Sequence, residues 1–122
     1  MIMKIQESAQ DYLESILILS KRQEYVRATD ICTYFGYARA TVSVFIKQLK
    51  ENEYITVDDH NHISLTKKGL DIAEEMLERH QIMTDIFREI GVSEDIAIKD
   101  ACRVEHYLSS ETYQALKKHF KK

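Results

Sequence analysis

Within KDACRVEHYLSSE, residues 99–111, a thiol, a carboxylate and an imidazole occur at Cys102, Glu105 and His106. On one helix, positions i, i+3 and i+4 fall within about 100° of arc, so the three side chains share a face. Such a donor set is a borderline-soft half-site for a divalent transition ion. The same residues could equally be unrelated neighbours on a partly buried helix. An acid–base pair of Glu105 with His106 is disfavoured, because adjacent helical residues point about 100° apart.

Two other places offer ligand chemistry. Asp11 and Glu14, at i and i+3 of a predicted first helix, put two carboxylates on one side. His80 stands among Ala73, Met76, Leu77, Met83 and Phe87 at three- and four-residue spacings, an imidazole on an apolar stripe. Plainer readings are a solvated acidic face for the pair and a hydrogen-bonded core histidine for His80. The two cysteines, Cys32 and Cys102, make no disulfide framework, and Cys32 has no suggestive neighbours.

These side chains need helices to position them, and the periodicity supplies them. Residues 8–22 read as a helix with an apolar face of Tyr12, Leu13, Ile16, Leu17 and Leu19. ATDICTYFGY follows, with Thr29 as N-cap candidate and Gly36 marking a tight turn. ARATVSVFIKQLKENEY gives a third helix burying Val42, Phe45, Ile46 and Leu49. YITV and ISL, joined by the polar DDHNH, read as a hairpin. Thr66 then caps a long helix running to Gly91, Ser93 opens the helix of the quoted stretch, and Ser109 or Ser110 opens the last. The expected fold is mainly α: an N-terminal winged helix-turn-helix over residues 1–70, followed by an all-α dimerisation domain over 71–122.

In a helix-turn-helix the start of the second helix meets base edges in the major groove. Here that stretch supplies Arg39, Ala40, Thr41, Ser43 and Val44, with Lys47 further along for the backbone and Arg27 as a further cation. Arg39 could pair with guanine O6 and N7, and Ala40 and Val44 could touch thymine methyls. A trihelical unit of this kind can instead be a protein-interaction module. The net charge of −3 opposes gross nucleic-acid affinity, but its distribution does not. Residues 26–50 hold four basic residues against one acidic, a local +3, whereas residues 71–122 hold eight against eleven. Asn61 and His62 at the wing tip read as phosphate contacts or as nothing, and Asp58 and Asp59 weaken the wing's case.

Composition bounds the rest. Hydrophobic content of 44% and charged content of 30% are those of an ordinary globular protein. No apolar run approaches the ~18 residues of a membrane span, and MIMKIQESAQDY lacks the features of a signal peptide, so a cytoplasmic protein without membrane partners is expected. No nucleophile–base pair, phosphate-binding glycine loop or open zinc motif appears, which argues against an enzyme and a small-molecule substrate.

The chain resembles the diphtheria-toxin-repressor family of metal-dependent transcriptional regulators, especially its short manganese-transport-regulator branch. DYLESI, LTKKG, RHQ, IGV and above all CRVEHYLS carry the likeness, in this order and spacing. The resemblance implies a metal site of Asp11, Glu14, His80, Cys102, Glu105 and His106, a Mn2+ or Fe2+ cofactor, a homodimer and a pseudo-palindromic DNA operator. Position 102 is iron-like, whereas Asp11 and Glu14 are manganese-like. Two further ligand positions of iron-type members appear here as Thr84 and Ile98, neither a convincing ligand. The SH3-like domain of longer relatives is expected to be absent, and KKHFKK to be a solvated tail.

Two competing readings follow from the residues. One is a metal-independent winged-helix regulator, whose DNA affinity and thermal stability ignore added metal. The other is a thiol redox sensor acting through Cys102.

Overall fold

The structure is a computed structural model that describes residues 7–120. The stretch read for a signal peptide lies partly outside that range and the last two lysines of KKHFKK wholly outside it. Residues 117–120 are not a solvated tail but the end of the last helix, with Phe120 packed on the core and Lys117 bonded to Glu78. Six helices and one hairpin follow in the order α1 (Glu7–Arg22), α2 (Ala28–Phe35), α3 (Arg39–Glu51), β1 (Ile55–Val57), β2 (Ile63–Leu65), α4 (Lys67–Glu89), α5 (Glu94–Val104) and α6 (Ser110–Phe120). The chain divides between Glu74 and Glu75 into two compact units. The mainly-α expectation, a winged helix-turn-helix and then a helical domain, holds.

In the first unit the apolar stripe of α1 buries Tyr12, Leu13, Ile16 and Leu17, and Ile31, Val42 and Leu49 of α2 and α3 are equally buried. Tyr12 packs edge-on to Phe45 with ring centroids 4.6 Å apart and stacks on Phe35 at 5.4 Å, tying the three helices together. Thr29 is not the N-cap of α2. Arg27 holds that position, and Asp30 Oδ2 accepts the Arg27 backbone N–H at 2.8 Å. The carboxylate three residues into the helix thus reaches back to the N-cap, as in half of a capping box. α2 ends at Gly36, whose φ of 75° lies in the left-handed region that a side chain disfavours.

α3 presents Val42 and Leu49 inward, whereas Phe45 and Ile46 are only half-buried, because Ile46 borders an open groove. The wing is an antiparallel pair with Ile55 opposite Leu65 and Val57 opposite Ile63. Ile63 also bridges to Val26, accepting the chain just before α2 as a short third edge. Thr66 Oγ1 accepts the Gly69 N–H at 3.2 Å and so caps α4 as its type predicts. Gly69 sits where the wing returns. A Cβ there would stand 2.0 Å from the Tyr54 carbonyl oxygen.

In the second unit Ile82, Met83, Ile86, Ala101 and Tyr113 form the core, with Phe87, Val104, Leu108, Leu116 and Phe120 packed against it. Ser109 caps α6, its Oγ accepting the Thr112 N–H at 3.1 Å. Among the described residues no helix is long and apolar enough to cross a membrane.

Candidate metal centre and nucleic-acid interface

The helix of the CRVEH stretch is shorter than its spacing implies. α5 stops at Val104, and Glu105 occupies its C-cap with helical backbone angles. Cys102 and Glu105 therefore still share a face, and His106 stands past the helix end. The face is completed by α4: His80 Nδ1 lies 3.6 Å from Cys102 Sγ and 3.4 Å from Glu105 Oε2. One ligand atom from each of the three falls within 4.8 Å of the others. Thus His80 is not merely a core histidine on an apolar stripe.

Burial sharpens the arrangement. Glu105 is 1% exposed, whereas Cys102 is exposed at the surface. His80 Nδ1 faces both the Cys102 sulfur and the Glu105 carboxylate, and buried Glu105 Oε2 has this ion-pair contact but no hydrogen bond of good geometry. The Cys102 sulfur first, then the Glu105 carboxylate, favour the imidazolium and push the His80 pKa up to about 10. His106 Nε2 lies 3.5 Å from the other Glu105 oxygen.

The donor set fits a divalent ion. Donors 2.0–2.3 Å from one tetrahedral centre stand roughly 3.3–3.8 Å apart, which brackets the two distances at His80. A neutral imidazole, a thiolate and a carboxylate also bring two negative charges, balancing a dication where a proton now balances part of them.

The turn carrying Glu105 and His106 is held by a residue that the sequence reading missed. Arg79, buried, donates from Nη1 to the carbonyl oxygens of Glu105 at 3.1 Å and Leu108 at 2.8 Å. Its guanidinium lies over the Tyr113 ring at 4.7 Å, and Nη2 is 3.6 Å from Glu75 Oε2. The hint was its place beside His80 on a face turned inward, but charge alone suggests exposure. Tyr113 in turn donates to Glu78, which also accepts from Lys117 Nζ at 2.8 Å, fixing α6 on α4. Of the two remaining positions considered, Thr84 is buried and Ile98 is exposed.

Asp11 and Glu14 stand in the first unit, half-buried on one side of α1. The other predicted interface of that unit is a groove between α3, the start of α2 and the wing. Arg27, Arg39, Ser43 and Lys47 line it, together with Lys50, which the charge count included but the site reading did not. Arg39, Ser43, Lys47 and Lys50 recur at three or four residues, a single stripe of α3. Ala40, Thr41 and Val44 are exposed on α3 beside that stripe, Val44 at 56%. An apolar side chain so exposed on a helix flanked by four cations is available to a partner.

A winged helix-turn-helix with a cationic stripe on its second helix, in one chain with a helical unit holding a His–Cys–Glu cluster, is the arrangement of a metal-responsive DNA-binding class. Comparison with known proteins places it: the profile of the iron dependent repressor N-terminal DNA binding domain matches residues 4–63, and that of its metal binding and dimerisation domain matches 66–122. The chain belongs to the iron-dependent repressor family, whose members are transcriptional regulators and not enzymes. It is 32% identical over 102 residues to the HTH-type transcriptional regulator MntR of Geobacillus kaustophilus, covering 84% of this chain and 72% of that one. A solved manganese-dependent transcriptional repressor in complex with manganese is 26% identical, with a TM-score of 0.80 over 91% of this chain and 51% of that one. The manganese regulator SloR, 24% identical, shares the fold with a TM-score of 0.79 over 96% of this chain and 54% of the other. The chain thus spans about half the length of these two solved structures.

Proposed function

We propose that the chain is a metal-dependent transcriptional repressor, a homodimer that binds operator DNA when Mn2+ or Fe2+ occupies the site of His80, Cys102 and Glu105. The observation that carries this reading is the convergence of three unlike donors within 4.8 Å, one of them a buried carboxylate oxygen without a hydrogen bond. A divalent ion supplies positive charge there and no reaction. His80 would hold the ion as the neutral ring, Cys102 as the thiolate and Glu105 through its carboxylate.

Three donors leave an ion of this class short of its usual coordination number. Asp11, Glu14 and His106 are the further ligands in this reading, the carboxylates suiting Mn2+ and Fe2+. Ligands drawn from α1 as well as from α4 and α5 couple metal occupancy to the DNA-binding unit, residues 1–70, against the metal-binding and dimerisation unit, residues 71–122. In the DNA complex Arg39, Ala40, Thr41, Ser43 and Val44 read bases, and Arg27 and Lys47 meet phosphates. The operator is pseudo-palindromic, matching a two-fold dimer with recognition helices ~34 Å apart. The regulated genes are those of metal uptake, and the protein works in the cytoplasm.

Linkage makes the coupling reciprocal: whatever factor metal adds to DNA affinity, DNA adds to metal affinity. Selection of bound sequences from a random duplex pool, with Mn2+ and with chelator, tests the reading. An inverted-repeat motif enriched only with metal is expected. Enrichment of the same motif in chelator overturns metal dependence.

A further inference from the structure

The antiparallel bridge between Val26 and Ile63 sets the residues on either side of it in register. Arg27, one step after Val26, therefore faces His62, one step before Ile63. Arg27 Nη2 donates to His62 Nε2 at 3.0 Å. Guanidinium has donors only, so His62 Nε2 must be the acceptor and the ring proton must sit on Nδ1. There it faces Asp58 Oδ2 at 3.3 Å.

Asp58 is itself fixed. Its Oδ1 accepts the backbone N–H groups of His60 at 2.8 Å and His62 at 2.9 Å across the wing turn. These bonds, that of His62 first, keep its carboxyl below the usual carboxylate range. The His62 ring stacks on Tyr25 with centroids 4.0 Å apart and planes 14° from parallel. Asp58, His62 and Arg27 thus form a chain from the wing turn to the cationic groove that Arg27 lines.

We infer that His62 is a positioning residue for DNA binding: the wing holds one edge of the Arg27 guanidinium through His62 and leaves the remaining donors to a DNA phosphate in the groove. The acidic wing tip then serves binding through Asp58, despite repelling phosphate itself. This inference rests on the DNA-binding reading above. His62 touches no DNA in it.

The test is a double-mutant cycle on the full chain with Mn2+, measuring affinity for a random-sequence duplex against KCl concentration. His62→Phe keeps the stack on Tyr25 and removes the acceptor. Arg27→Met keeps the stem and removes the charge. Losing one phosphate contact makes the slope of log K on log salt shallower by about 0.9. We expect that change for Arg27→Met and for His62→Phe, with no further change in the double variant, and recovery in His62→Gln, whose amide oxygen can accept from Arg27. Equal losses from His62→Phe in both Arg27 backgrounds, or no loss in either, overturn the inference while leaving DNA binding intact. A wild-type protein that binds neither this duplex nor a selected operator overturns the function itself.

Discussion

His80 Nδ1 lies 3.6 Å from Cys102 Sγ and 3.4 Å from Oε2 of the buried Glu105 carboxylate, and these two contacts govern how the site responds to pH. The imidazolium is favoured up to about 10, against an ordinary value of 6.5. A metal ligand must be the neutral ring, so binding at neutral pH expels the proton. Metal affinity should rise with pH below about 10, up to tenfold per unit for each proton released. Calorimetry in two buffers of different ionisation enthalpy reads that release. Uptake of metal without proton loss contradicts the assignment of His80.

The same shift has a sign for the metal-free fold. A group whose folded pKa is raised stabilises fully below its unfolded value and loses that contribution as pH rises through the folded one. The His80 contribution is therefore complete below about 6.5 and gone above about 10. Denaturation of metal-free wild type across that window should show a decline that His80→Gln lacks.

Removing the thiol should alter metal preference more than folding, because Cys102 is exposed. Co2+-loaded wild type is expected to show a thiolate-to-metal charge-transfer band that Cys102→Ala lacks. Affinity for the softer ions should fall by at least tenfold while Mn2+ suffers less. An unchanged Co2+ spectrum in the variant places the sulfur outside the site.

Arg79→Met should cost about 3 kcal/mol, since it leaves the Glu105 and Leu108 carbonyls without their buried donor. Urea unfolding of the metal-free protein measures it. A loss below about 1 kcal/mol shows that the turn carrying Glu105 does not depend on Arg79.

Gly69→Ala should be costly for a reason unrelated to backbone angles. The added methyl would meet the Tyr54 carbonyl at 2.0 Å, and overpacking of that kind costs typically about 1–3 kcal/mol. Thermal unfolding should report a lower midpoint. A neutral substitution shows that the wing and α4 can separate freely there.

Much of this was legible in the chain. The apolar spacing of α1 and α3, the Thr66 and Ser109 caps and the β-prone runs around DDHNH all act locally, and local signals survive without tertiary knowledge. Thr29 failed as a cap because Asp30, one residue on, reached back to Arg27 instead. Candidate ligands were visible as residue types, but the pairing of His80 with Cys102 and Glu105 depends on how α4 meets α5, which no window of sequence contains. Arg79 was hidden because its value lies in two backbone carbonyls, groups every residue has. The His62–Arg27 bond needed the Val26–Ile63 bridge, a register set by residues 37 positions apart in the chain.

In the proposed function, metal at this site controls DNA binding. The most direct test of that control is the anaerobic affinity for a selected operator, at fixed salt, in chelator and in Mn2+ or Fe2+, for wild type and His80→Ala. Wild type should gain tenfold or more with metal, about 1.4 kcal/mol of coupling, and His80→Ala should lose most of that gain. Equal affinity of wild type with and without metal contradicts the account.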